Sequence, residues 1–207
     1  MYSPRLFRDG DLASILAFVE RYPFATLIAP SPDGWPEITH VPCYVDETKT
    51  HLWFHVARAN AIADLPLGSP VAAVFQGPHA YVSPRWYRAP NEQVPTWNYS
   101  VAHVRGRTTG PASPARLAEI LDELTRRHEG PEGWRPSWIS EELRAGLMSS
   151  IVGMGLSIEK WEGKHKLSQN RSLEDQRRVA AAFEQGGTDA GRELAEGMRR
   201  NLENRAG

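Results

Sequence analysis

VAAVFQGPHAYVSPRWYRAPNEQVPTWNYSVAHVRGR, residues 71–107, holds two β-type segments, 71–83 and 96–107. The loop between them carries Trp86, Tyr87, three prolines and a Gln-Val-Pro-Thr run. Strands rich in Val, Phe and Tyr make a rigid support, and an aromatic, polar loop at the end of such a support shapes pockets for flat ligands. The aromatic residues Trp86, Tyr87, Trp97 and Tyr99 suit the cap of a hydrophobic core equally well, and the stretch alone leaves both readings open. Two long strands joined by one loop already predict an antiparallel sheet.

Outward from that stretch, hairpin signals dominate. Residues 24–29 form a short apolar and β-branched run, Ser31-Pro32-Asp33-Gly34 makes a tight turn, 37–45 returns as the partner strand, and 50–56 continues the meander after a polar turn at 46–49. Before them, Leu12, Ile15, Leu16 and Val19 give one apolar helical face, closed by Pro23. The segment 57–65 reads as a strand-to-helix junction ended by Pro66 and Gly68. There Arg58 and Asn60 suit either an anion cradle or a plain helix cap beside a solvated arginine. Beyond Gly110, helices are predicted over 113–128 and around 141–148, a last strand over 151–161, and a helix capped by Ser172 that runs to about residue 184. A final Arg/Glu-rich helix places Leu194, Met198 and Leu202 on one side, as a partner-binding stripe or a frayed surface. The expected class is mainly β with flanking helices (α+β), an antiparallel barrel, closed or half-closed. The chain divides into one domain over 1–185 and a C-terminal helical extension over 186–207.

Composition excludes several functions. Lys plus Arg is 24 against 25 Asp plus Glu, so a net charge of −1 supplies no global field for nucleic acid or an anionic bilayer. The single cysteine, Cys43, rules out an internal disulfide framework and any multi-Cys metal site. His51 and His55 share a strand face but lack a carboxylate partner at a telling position, so no metal is expected. There is no P-loop, G-x-G-x-x-G or G-x-S-x-G. No apolar run reaches the ~18 residues of a membrane span, and a cytoplasmic protein is expected.

Seven segments then carry a family resemblance: MYSPRLFR (1–8), PFATLI (23–28), Thr-His-Val-Pro (39–42), LWFHVARAN (52–60), GPHAYVSPRWY (77–87), VPTWNYSVAHVRG (94–106) and EGKHKLSQNR (162–171). In order and spacing they resemble the PaiB-type FMN-binding negative transcriptional regulators. The resemblance implies an antiparallel split β-barrel of the pyridoxine-phosphate-oxidase type, a homodimer, and FMN at the subunit interface. It also implies that Arg58, and after it Asn60, meets the phosphate, and that Thr39, His40, Phe54 and His55 line the ring. Lys166, Ser168, Gln169 and Asn170 fall in a segment that lies near the flavin in that family. Tyr81 and Ser83 share one strand face. Asn98 alternates with Trp97 and Tyr99, so only one of those two sets faces a site.

Two functions follow as expectations. One is an FMN-binding regulator of transcription. Its contact with DNA is unsupported by the charge pattern, since Arg177, Arg178, Arg199 and Arg200 sit among glutamates. The other is an FMN-dependent oxidoreductase using NAD(P)H or another small donor, with any effect on transcription indirect. A pocket for haem, with His40, His55 or His165 as axial ligand, is a weaker third.

Overall fold

The hairpin at 24–42 shows how local chemistry sets the sheet. The structure, a computed structural model, describes residues 1–203. Phe24–Ala29 (β2) and Glu37–Pro42 (β3) pair antiparallel from Phe24↔Pro42 to Ala29↔Glu37. Between them Gly34 takes φ +88°, a conformation that suits glycine, and its N–H donates to Ser31 O at 3.2 Å. Within β2, Ala25, Leu27 and Ala29 are buried and their neighbours are not, the period of two of a strand with one covered face.

The remaining strands are Arg8–Asp9 (β1), Tyr44–Val45 (β4), His51–Ala57 (β5), Pro70–Val82 (β6), Thr96–Pro111 (β7) and Ile151–Lys166 (β8). They form one eight-stranded sheet in the order β3-β2-β6-β7-β8-β5-β4, with β1 added beside β8. The helices are Leu12–Arg21 (α1), Pro114–Glu129 (α2), Glu141–Ser149 (α3), Leu173–Gln185 (α4) and Asp189–Glu203 (α5). The chain is therefore α+β, an antiparallel sheet with flanking helices.

Three boundaries differ from expectation. The strand expected over 37–45 is broken at Cys43, whose N–H donates to Pro23 O at 2.9 Å. Pro42 has no N–H for a ladder, and the chain turns there. β8 runs on to Lys166, past the end of the strand expected over 151–161. The N-terminal residues contain β1, with Arg8↔Lys164 and Asp9↔Gly163 in register.

Two compact units emerge. Unit 1 comprises 1–15, 76–102 and 162–207 (described to 203). Its core gathers Val82, Tyr87, Leu167, Val179, Ala180, Phe183, Leu194, Ala195 and Met198. Leu194 and Met198, each 1% exposed, thus turn inward rather than forming the partner-binding stripe or frayed surface expected of α5. Residues 204–207 of the expected extension lie outside the described residues. Ser172 caps α4, its Oγ accepting from Asp175 N at 3.1 Å, a contribution of about 1 kcal/mol.

Unit 2 comprises 16–75 and 103–161. β5 pairs with β8 from His51↔Ser157 to Ala57↔Ile151, and Leu52, Phe54 and Val56 are its buried positions. Tyr44, Ile120 and Leu124 form a buried cluster on which Trp53 packs. α2 is capped by Ser113, begins with Pro114 and ends at Gly130 with φ +70°.

Candidate functional site

Each unit presents its own set of the expected residues. In unit 2, alternation along β5 separates Phe54 from His55. Phe54 is 1% exposed and belongs to the core, whereas His55 lies on the opposite face and is half-buried. The His55 Nδ1 atom is buried and has no hydrogen-bond partner. Burial holds the His55 pKa below its ordinary value of 6.5, so the ring is neutral near pH 7. A neutral imidazole with one unsatisfied nitrogen is matched to a ligand that offers a single hydrogen bond.

Arg58 sits just past β5. Its Nε donates to Ser149 O at 2.9 Å and its Nη2 to Ile151 O at 3.2 Å, which draws the guanidinium to the end of α3. Those carbonyls orient the group without neutralising it. The side chain is exposed, and it retains further N–H donors for an anion.

Asn60 is a cap. Its Oδ1 accepts from Ile62 N at 2.9 Å, and its Nδ2 donates to Thr39 Oγ1 at 2.9 Å. Both ends of the amide are therefore used, and what the pair does first is fix β3 against the 61–64 turn. His40 follows Thr39 onto the other face of β3. It is exposed and stacks on Phe24, with centroids 6.3 Å apart and planes at 22°. The groups with spare capacity are the Arg58 guanidinium and the His55 imidazole, suited to a phosphate and to the polar edge of a flat ring.

In unit 1, burial separates Asn98 from Trp97 on β7. Asn98 is 0% exposed: its Nδ2 donates to Met198 Sδ at 3.5 Å, and its Oδ1 accepts from Ser168 Oγ at 3.1 Å. Trp97, 51% exposed, points the other way and meets the edge of Tyr81 at 6.2 Å and the His79 ring at 6.2 Å. Tyr81 and Trp97 thus form an exposed aromatic surface. Ser83 is buried and caps the 84–86 turn, its Oγ accepting from Arg85 N at 3.3 Å.

The expected polar cluster is largely committed to its own fold. Lys166 Nζ donates to Thr96 Oγ1 and, at 3.0 Å, to Trp97 O. Burial, then the nearby Lys164 and Arg171 charges, hold its pKa below the usual lysine value. Gln169 Oε1 accepts from Leu167 N at 2.7 Å, and its Nε2 donates to His165 O at 2.5 Å. Ser168 is 2% exposed with φ +64°, a left-handed corner that ends β8, and Asn170 is exposed. Sequence reasoning missed one arrangement here, a chain in which His165 Nδ1 meets Ser100 Oγ at 2.9 Å and Nε2 meets Asp9 Oδ2 at 3.2 Å. Its members lie up to 156 residues apart, so no local pattern points to it. Among the described residues, no group of three or more His, Cys, Asp or Glu is placed to hold a metal ion.

The family profile described as a putative FMN-binding domain matches residues 1–160. The chain belongs to this FMN-binding family. Its cofactor is FMN, and the unsatisfied His55 Nδ1 and the spare Arg58 donors each accord with that ligand. The chain is 31% identical over 210 residues to the protease synthase and sporulation protein PAI 2 of Bacillus subtilis (strain 168), covering 98% of both chains. The family membership thus extends along nearly the whole sequence and includes the PaiB-type pattern of segments. Two solved structures share the fold. One is the flavocytochrome Anf3 from Azotobacter vinelandii, with a TM-score of 0.61, 17% identity, and 79% of this chain and 72% of that chain covered. The other is the FAD and heme binding protein from Mycobacterium smegmatis, with a TM-score of 0.62, 17% identity, and 82% and 78% covered.

Proposed function

We propose that this FMN-binding protein is a flavin-dependent negative regulator of gene expression, acting in the cytoplasm as a homodimer. The observation that carries this reading is the near end-to-end match to a protein named for protease synthesis and sporulation. FMN supplies a redox-sensitive chromophore when bound. Arg58 holds the phosphate, with His55 and His40 at the ring and Thr39 and Asn60 bracing β3, from which His40 projects. Phe54 supports β5, from which His55 projects, from the core. In this reading the sheet is a split barrel, and FMN lies at the subunit interface, where exposed apolar residues such as Phe24 and Ile38 find cover.

Direct, unaided DNA binding has little electrostatic support. Arg199 pairs with Glu184, and Arg200 Nη1 meets Glu196 at 2.5 Å. Such pairing leaves little positive field for phosphates. The regulator is therefore assigned a protein partner that contacts the operator. A gel-shift titration on the chain's own promoter region tests this, run with purified protein alone and with cell extract lacking the chain. A shift only when extract is present agrees with the reading. A salt-sensitive shift by the purified protein alone at micromolar concentration contradicts the indirect route.

A further inference from the structure

Unit 2 holds a cleft of about 970 Å³, none of whose lining residues belongs to the expected flavin set. Its volume is at the upper end of small-ligand sites, which run to about 1,000 Å³. The wall is apolar where Leu16, Val19 and Pro23 meet Tyr44, and Val19 and Tyr44 are 2% and 6% exposed. Toward solvent the lining is charged, with cations in excess of anions.

Two of the three acids of the lining have partners of their own, and the third, Glu47, is exposed. Asp46 Oδ1 accepts the N–H groups of Thr50 at 3.0 Å and His51 at 3.1 Å, and Glu20 takes Arg127 at 3.1 Å. Two of the cations differ. Arg135 is half-buried and donates only to the main-chain carbonyls of Gly130, Pro131 and Trp134, which fix the guanidinium but leave its charge unneutralised. Lys49 stands at a turn with φ +61°, exposed beside the same cleft. An apolar wall beside the Arg135 guanidinium, with the exposed Lys49 ammonium at the rim, matches a ligand with an apolar body and one anionic end.

We propose that this cleft binds a small organic anion, an aromatic or aliphatic carboxylate whose body lies against Val19 and Tyr44 and whose carboxylate meets Arg135 and Lys49. The site goes beyond the flavin reading and gives the protein a small-molecule input separate from its cofactor.

The probe is 8-anilinonaphthalene-1-sulfonate, an aromatic anion whose fluorescence rises on binding, titrated into FMN-loaded protein. Binding is expected to weaken on the order of tenfold in Arg135→Gln, the loss of one charge-assisted contact. It weakens several-fold in Lys49→Glu, an exposed change that leaves the fold intact. Decanoate displaces the probe and decan-1-ol does not, while excess FMN leaves it in place. Unchanged affinity in Lys49→Glu, equal displacement by the alcohol, or displacement by FMN would each overturn the proposal. The titration is repeated on FMN-free protein, so failure of FMN to bind leaves these readouts intact and the two sites are tested separately.

Discussion

His55 is where burial and chemistry conflict most plainly. Its Nδ1 is enclosed without a partner, and its pKa lies below 6.5 because the charged ring is poorly solvated. The folded chain therefore binds this proton less readily than the unfolded chain. Stability from the neutral ring is complete above about pH 6.5 and declines as pH falls toward the depressed folded value. A series of melting curves from pH 8 to pH 5 checks this: the wild type loses melting temperature below pH 6.5, and His55→Phe flattens that part of the profile. A profile unchanged by the substitution would mean another group titrates there. Alternation along β7 was enough to separate Asn98 from Trp97 and Tyr99. It could not say which set faced outward, because that depends on Ser168, 70 residues away. For the same reason Asn60 was legible as a polar group at a junction, whereas its tie to Thr39 was not.

At the scale of elements, close strand approach is the tightest constraint. A Cβ on Gly106 would fall within the van der Waals envelope of the Ser157 carbonyl oxygen and 2.9 Å from its carbonyl carbon. Backbone cannot step aside as a side chain can, so Gly106→Ala is expected to cost about 1–3 kcal/mol or more, read as a lower urea midpoint with an unchanged slope. Gly10, with nothing within 4 Å of its built Cβ, serves as the tolerant control. An equal, small effect at both positions would show that β7 and β8 are more loosely packed than described. Helices and hairpins were legible because their signals are local: Ser113 and Ser172 at caps, Asp33-Gly34 in a turn, and apolar residues at periods of two or 3.6. The final third of β8 was not. Its Glu162–Lys166 stretch reads as polar, and it is held as strand by distant groups, including Tyr2 O at 3.1 Å from Lys164 Nζ and Asp9 at His165.

At the scale of the whole molecule, a net charge of −1 and paired arginines keep the surface from acting as a nucleic-acid magnet, while several large apolar side chains stay exposed. The α+β class followed from hairpin spacing, and the family followed from seven ordered segments spread over most of the chain. The two-unit division did not follow, because each unit collects segments that are far apart in sequence. The proposed seat of FMN is the Arg58 and His55 set. Its most direct test is a fluorescence-quenching titration of FMN with wild-type protein and with Arg58→Gln, each shown to be folded by circular dichroism. The predicted result is saturable binding at one FMN per chain, weakened on the order of tenfold or more by the substitution. Equal affinity in the two proteins, or no quenching by wild type at large excess, would contradict it.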